Sequence, residues 1–580
     1  MTNILESTFK TWDDCELFCR TWSPTQKSNR AIIMMHRGHE HSGRLIELDE
    51  SLGFDCWRFA YDYRGHGKSP GRKGFTKDFS DHIKDLDAYV RYISIEHEIP
   101  IENISIVANS IGAIICSAWV HDYAPRIRCF ILAAAAFEIK LYIPFAIPGL
   151  RFLHKFFPNA AIKSYVKPSM LTHDKEQIKA YESDPLIARD ISVNILLQLH
   201  DISSRLLNDA QAIFAPCLML VADKDYVVQK HRQLQFFNKL SSSMKQIHVL
   251  KGFHHAIFYE KDRHQAIQLT KDFIINAYKQ DSIYNDATLL YSDEHGFTKV
   301  EFEKLKKPAK LMKGIFFKSQ QTFMKTLGLL SHSIRLGWES GFDSGKSLDH
   351  VYKNKALGVT LLGRAIDRTV LNAIGWRGIR QRRVHIVDAM NEVKQFLKEQ
   401  GETLKILDIA AGPGRYVFDF LKSCDSELID HILLRDNEQQ NLDAAKVLFK
   451  DQSQVVINYE LADALNLNAL EDIEVVPNLV IVSGLYELFP SNKPIKNSLN
   501  GIASGLAKGG YLIYTSQIWH PEMEMIARVL TNRDGEPWIM RRRTQIEMDS
   551  LVSEAGLKKV KTIACPFGIF NVSIAKKVED

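Results

Sequence analysis

Two short runs of small residues restrict this chain more than any bulk property does. Val107-Ala108-Asn109-Ser110-Ile111-Gly112 stands near the start, and Leu407-Asp408-Ile409-Ala410-Ala411-Gly412-Pro413-Gly414 near the end. Each follows an apolar strand pattern and precedes a helical one, so each marks a strand-to-helix turn of an α/β layer. The first carries a hydroxyl at its apex. The second carries none and leaves room for a backbone to approach a ligand closely. With its own strands around each turn, the chain reads as two α/β domains bearing different chemistry.

Length agrees, because 580 residues exceed what one hydrophobic core organises. A formal net charge of +5 is small for that length and argues against a general nucleic-acid binder, so no nucleic acid is expected as a partner. Met1 to Ser7 lack the charged and apolar regions of a signal peptide. The most apolar long stretch, Cys129 to Leu153, is broken by Glu138, Lys140, Pro144 and Pro148 and cannot serve as a membrane span. Eight cysteines are scattered without CxxC pairs, and Cys15 and Cys19 read as ordinary thiols. A cytoplasmic location, or a peripheral one on the cytoplasmic membrane face, is expected. The polar stretch from Lys279 to Thr298 is the expected boundary.

In the first half, Ile104 to Ala108 reads as a buried strand and Ile111 onward as a helix packed closely on the sheet, with Ser110 at the junction. Small residues flanking a serine at a strained turn let its hydroxyl project above the sheet, as in a G-x-S-x-G elbow whose first glycine is here Ala108. Pro216 to Asp225 is a later strand ending in acids, and Val249 to His255 a strand ending in histidines. The order Ser, Asp, His is that of a nucleophile with its acid and base in an α/β-hydrolase, with Asp223 and Asp225 competing for the acid and His254 and His255 for the base. His39, Glu40 and His41 have no further ligand candidates nearby, and no metal site is expected.

This region resembles the monoacylglycerol lipase and lysophospholipase branch of the α/β-hydrolases, of serine aminopeptidase S33 type, over roughly residues 10–275. The likeness rests on His36-Arg37-Gly38-His39-Glu40-His41-Ser42-Gly43-Arg44, on Tyr61 to Ser69, and on Ser183-Asp184-Pro185-Leu186. It also rests on Ala222-x-x-Asp225 and Gly252-x-x-His255-x-x-x-x-Glu260. The resemblance implies Ser110 as nucleophile, His255 as base and Asp225 as the acid that orients it, with the backbone N–H groups of Gly38 and Ile111 holding the oxyanion. Arg37 stands where the family has a glycine. Apolar and aromatic residues between Leu141 and Phe157 suit a lid over an acyl chain, so a lipid ester is favoured over a peptide.

In the second half, Thr403 to Asp408 is a short apolar strand leading into a turn of the form D-x-A-x-G-x-G, which a dinucleotide enzyme could also carry. A second strand, His431 to Asp436, ends in an acid placed to accept ribose hydroxyls. Glu460-Leu461-Ala462-Asp463-Ala464, Leu479 to Gly484 and Gly509 to Thr515 follow. The succession resembles the class I S-adenosylmethionine-dependent methyltransferases over roughly residues 400–576. By that likeness Asp408, Ala410, Gly412 and Gly414 line the methionine and sulfonium side of S-adenosyl-L-methionine, Asp436 holds the ribose and Asp463 meets the adenine edge. Tyr486 and Glu487 are candidates for contact with the acceptor or, equally, an ordinary helix start.

Between the two, Lys304, Lys306, Lys307, Lys310, Lys313, Lys318 and Lys325 interleave with Met312, Phe316, Phe323, Leu327, Leu330 and Ile334 at helical spacing. A basic amphipathic helix can lie on anionic lipid, but the favoured reading packs this helix on the methyltransferase core. Trp338 to Gly345 and Trp376 to Arg380 are dense in Gly, aromatic and charged residues without a derivable role.

As a whole the chain resembles a bacterial family of fused α/β-hydrolase and class I methyltransferase. The expected fold is α/β throughout. It comprises an N-terminal α/β-hydrolase fold with a lid insertion, a helical connector, and a C-terminal Rossmann-like class I methyltransferase fold. The expected limits are 1–280 with the lid at about 138–205, 281–400 for linker and helical lead-in, and 401–580 for the methyltransferase core. A bifunctional enzyme is implied, hydrolysing a lipid or other ester and methylating a lipid or small-molecule acceptor. The alternative keeps the hydrolase and makes the second domain a sensor or scaffold that binds S-adenosylmethionine.

Overall fold

The computed structural model describes residues 4–280, 283–465 and 474–578. It divides into two compact units, Met1–Asn285 and Asp286–Asp580. Residues 281 and 282, at the expected boundary, lie outside the described residues.

The sheet of the first unit contains β1 (Ile4–Lys10), β2 (Glu16–Trp22), β3 (Ala31–Met35), β4 (Trp57–Tyr61), β5 (Ile104–Asn109), β6 (Cys129–Ala133), β7 (Cys217–Ala222) and β8 (Lys245–Leu250). Their order is β1-β2-β4-β3-β5-β6-β7-β8, antiparallel through β1, β2 and β4 and parallel beyond. Every residue of β3, β5, β6 and β7 is buried, which explains why these strands read as unbroken apolar runs: helices cover both faces. This is the α/β-hydrolase fold.

The insertion between β6 and β7 holds the helix Ala146–Phe156, a short antiparallel ribbon of Ala161–Lys163 with Asp190–Ser192, and the helices Lys175–Ser183 and Val193–Asp209. No residue of Ala146–Phe156 is buried, and Phe145, Phe152, Phe156 and Phe157 are exposed. By contrast, Val193–Asp209 buries Val193, Leu199 and Leu206 and packs on the helix Ile111–Tyr123. Residues 193–205, expected inside the lid, therefore belong to the covering layer of the core.

The second unit has β9 (Leu404–Ile409), β10 (Ile429–Asp436), β11 (Val456–Leu461), β12 (Leu479–Val482), β13 (Tyr511–Gln517), β14 (Leu557–Ala564) and β15 (Phe570–Lys577). They are ordered β11-β10-β9-β12-β13-β15-β14, and only β15 runs antiparallel to its neighbours. The strand order reverses between β9 and β12, and the crevice beyond the carboxyl ends of these strands is where open α/β sheets bind ligands.

The segment expected as linker and lead-in is helical and built into this unit. In Ile374–Glu399 the residues Ile386, Ala389, Met390, Val393 and Leu397 recur at helical spacing and are buried against the sheet. The basic stripe needs correction. Leu311–Lys325 is a helix, but it docks through Phe317, Met324 and the Gln321 side chain, which donates to the Val529 carbonyl. Met312, Phe316 and Phe323, expected to pack on the core, are exposed beside lysines 310, 313, 318 and 325. The pattern had the right period and the wrong face. Among the described residues, no helix is long and apolar enough to cross a membrane.

Candidate active sites

Ser110 ends the buried strand β5 and stands at φ 54°, ψ −111°, a strained conformation for a residue with a Cβ. The surroundings hold it there: its N–H donates to the Ala133 carbonyl at 2.9 Å and its carbonyl accepts from Ala136 at 3.2 Å. Gly112 follows because a Cβ there would lie 2.6 Å from Tyr63 Oη and 2.8 Å from the His36 carbonyl. The turn thus aims Oγ away from the sheet, 2.9 Å from His255 Nε2. On the other side of that ring, Nδ1 lies 2.9 Å from Asp225 Oδ2.

Asp225 Oδ1 accepts the backbone N–H groups of Val227 and Val228 at 2.7 and 2.9 Å, so the carboxylate cannot swing. Burial works to raise its pKa, but the facing imidazole and these hydrogen bonds outweigh it and the value falls below the usual carboxylate range. Asp223 instead pairs with Lys230 at the surface. His254 packs on His173, away from Ser110. The two ambiguities left by spacing are separated by contact.

Ser110, Ile111, Gly38 and His255 line one cavity of about 730 Å³ walled by Ile139, Leu141, Ile162, Val166, Leu171 and Leu196. Ile111 is the first residue of its helix, so its N–H has no acceptor within that helix. Gly38 is needed beside it, because a Cβ would meet Ile111 Cδ1 at 2.6 Å. Arg37 does not fill the oxyanion loop: its guanidinium is buried in a two-pronged bond to Glu40 and lies over Tyr259. His39, Glu40 and His41 do not converge, since His41 bonds Asp184 at 2.9 Å while Glu40 is taken by Arg37. That His41–Asp184 bond also joins two of the separated motifs.

In the second unit, the turn after β9 takes positive φ at Ala410 (57°), Gly412 (55°) and Gly414 (68°). A Cβ on Gly414 would meet Leu434 at 3.0 Å and Phe449 at 3.2 Å, whereas one on Gly412 would meet nothing within 4 Å. Gly414 is therefore small for packing, and Gly412 opens on space a ligand can use. Asp436, at the end of β10, accepts from Gly412 N–H at 2.8 Å and from Glu438 N–H and Asn441 Nδ2 at 2.9 Å each. With about four lone-pair directions on a carboxylate, it keeps limited capacity for a further donor. Asp463, beyond β11, is exposed and accepts from Leu465 N–H.

Asp408 has no exposed surface, and burial pushes its pKa well up. Its Oδ1 accepts the Tyr416 hydroxyl at 2.7 Å, while its Oδ2 is buried without a hydrogen-bond partner.

A second cavity, of about 700 Å³, opens at Gly484 just past β12 and is walled by Trp376, Ile379, Ile526, Trp538, Met540 and Phe570. Its polar end contains Arg382, Glu487, Gln517 and His520, with Arg382 Nη1 donating to Glu487 at 3.2 Å. Burial holds the His520 imidazole neutral, its pKa lowered to about 4. Of the two residues singled out after β12, Glu487 lines this cavity, while Tyr486 is buried with its hydroxyl on Ser498. Gly375, Trp376 and Arg382 come from the lead-in helices. The Trp376 cluster stands out in the sequence by composition alone, because its partners, Trp538 among them, lie more than a hundred residues on.

A family model described as "Serine aminopeptidase, S33" matches residues 26–262, and one described as "Putative methyltransferase" matches residues 270–577. The uncharacterized protein YnbC of Escherichia coli (strain K12) is 40% identical over 98% of both chains. Human monoglyceride lipase is 27% identical over 42% of this chain and 81% of its own, and the phospholipase YtpA of Bacillus subtilis (strain 168) 25% identical over 43% and 97%. This chain belongs, with YnbC, to a family that joins a serine aminopeptidase S33-type α/β-hydrolase domain to a methyltransferase-family domain.

Proposed function

We propose that the first unit is a serine hydrolase of lipid esters and the second an S-adenosylmethionine-dependent methyltransferase. The observation that carries the first reading is the unbroken line Asp225–His255–Ser110 at the wall of an apolar cavity. His255 Nε2 removes the Ser110 proton as Oγ attacks the ester carbonyl. Asp225 fixes the ring so that Nδ1 carries a proton and steadies the imidazolium that forms. The N–H groups of Gly38 and Ile111 stabilise the oxyanion, and His255 then protonates the departing alcohol before activating the water that releases the acid. Walls of Ile, Leu and Val favour an acyl chain, and the relatives named for monoglyceride and phospholipid hydrolysis support that choice. Turnover of monoacylglycerols, lysophospholipids and peptide amides by one preparation tests it: ester cleavage with no amide cleavage is expected, and amide cleavage alone would overturn the lipid reading.

Gly412 and Asp436 fit S-adenosylmethionine, the first by its open space and the second by its carboxylate at the strand end. When bound, that cofactor supplies an electrophilic methyl group. The chain's own part is then to seat an acceptor in the cavity past Gly484 and exclude water from it. Incubation with isotope-labelled methyl donor and a lipid extract is expected to give a labelled product together with S-adenosylhomocysteine. Binding of the donor without product across a broad panel would instead favour a sensor or scaffold.

The exposed apolar face of Leu311–Lys325, with lysines around it, suits peripheral contact with an anionic bilayer. Co-sedimentation with phosphatidylglycerol vesicles, reduced by Phe316→Ser and absent with neutral vesicles, is the expected result.

A further inference from the structure

Among the described residues, one group of histidine and carboxylate side chains brings three ligand atoms within 4.8 Å of one another: His173, His254 and Glu260. None of the three takes part in the proton relay. His173 lies in the insertion, between the short helix Pro168–Leu171 and the helix Lys175–Ser183; His254 and Glu260 lie on the segment that carries His255. Glu260 spans the two, accepting from His254 N–H at 2.9 Å and from His173 N–H at 3.2 Å. His173 Nδ1 sits 3.2 and 3.3 Å from its two carboxylate oxygens.

Three features distinguish this group from an ordinary buried ion pair. First, the two imidazoles lie with ring centroids 3.7 Å apart and planes tilted by 40°. Second, His254 is buried, and its Nδ1 has no hydrogen-bond partner. A buried ring nitrogen left without a partner calls for a ligand, and a bound ion would supply it. Third, tetrahedral coordination with bonds of about 2.0–2.1 Å places neighbouring ligand atoms about 3.3 Å apart, the spacing already present between His173 and Glu260.

We propose that His173, His254 and Glu260 bind one divalent transition-metal ion of the zinc class, fastening the base of the insertion to the loop that carries His255. Two imidazoles and one carboxylate make a three-ligand set, with the fourth position left to water on the solvent side of His173. Lys224 is a further charged group acting on His254, and an ammonium has no lone pair to offer a metal.

The test is titration of chelator-treated, full-length protein with zinc chloride by calorimetry, and with cobalt chloride by visible absorption. One site per chain and an intense four-coordinate cobalt spectrum are expected. His173→Ala and His254→Ala should each weaken binding at least about tenfold, while His295→Ala, on an exposed histidine, should leave it unchanged. If His254→Ala does not fold, His173→Ala decides, because that side chain is about half exposed. Zinc binding to wild type no tighter than to His173→Ala, or a weak six-coordinate cobalt spectrum, would overturn the site. Ser110→Ala is expected to keep the metal, so failure here is distinguishable from failure of the hydrolase reading.

Discussion

The turns at Ser110 and at Gly412 have the same architecture, a parallel strand running into a helix at the carboxyl edge of a sheet, and they differ in what surrounds them. Around Ser110 the groups of the proposed proton relay already sit within hydrogen-bonding distance of each other. Around Gly412, Asp436 is held by the Gly412 N–H, no relay of reacting groups is assembled, and what the turn offers is space. On the proposed functions the difference has a cause: acyl transfer by a serine needs its proton relay assembled in the protein, whereas methyl transfer draws its reactivity from a bound donor and asks the protein mainly for position.

If that contrast holds, the largest effect in the molecule comes from one oxygen. Ser110→Ala should lower ester hydrolysis by at least about 10⁴-fold, measured as kcat on a soluble ester. Asp225→Asn should lower it by about 10⁴-fold, while Asp223→Asn, acting on a surface carboxylate, should change it less than about twofold. Equal losses from the two Asp variants would break the assignment of the acid.

The second turn should respond differently, through stability and binding. Gly414→Ala places a Cβ 3.0 Å from Leu434 at φ 68° and should destabilise its unit by about 1–3 kcal/mol in chemical denaturation. Gly412→Ala meets open space at φ 55°, where Ala410 already tolerates 57°, so it should cost less stability and more affinity for S-adenosylmethionine. The reverse ranking would mean that the open side of the turn is not the ligand side.

A smaller, pH-dependent effect belongs to the first unit alone. Burial opposes the charge on His121, but Asp122 and Asp209 bond both of its ring nitrogens and raise its pKa. A histidine raised in the folded state stabilises fully below its unfolded pKa of about 6.5, and that contribution is lost as pH rises through the folded value. The Tm of the first unit should therefore fall across that window, and His121→Gln should flatten the dependence.

Much of this contrast was legible in the sequence, and unevenly. The order Ser110, Asp225, His255 is legible because each residue follows the carboxyl end of a parallel strand, and such ends converge at one edge of the sheet. The choice of Asp225 over Asp223 needed the family's spacing, and the structure adds its cause, the Val227 and Val228 amides. The motif marks Asp408 as the residue before the turn, and the structure adds its burial and its bond to the Tyr416 hydroxyl. Helical period in Leu311–Lys325 was visible, but two apolar faces compete there, and Phe317 and Met324 found partners where Phe316 and Phe323 did not. His173, His254 and Glu260 were beyond reach, since nothing in a sequence announces that residue 173 meets residue 254.

The central claim is that one chain holds two chemically independent sites, and one paired measurement on the full-length protein addresses it. Fluorophosphonate labelling followed by intact mass, and calorimetric binding of S-adenosylmethionine, would be measured on wild type, Ser110→Ala and Gly412→Val. Wild type should take one label and bind one donor, Ser110→Ala should lose only the label, and Gly412→Val should lose only the donor. Labelling that survives Ser110→Ala, or a wild type that binds no donor, would contradict the account.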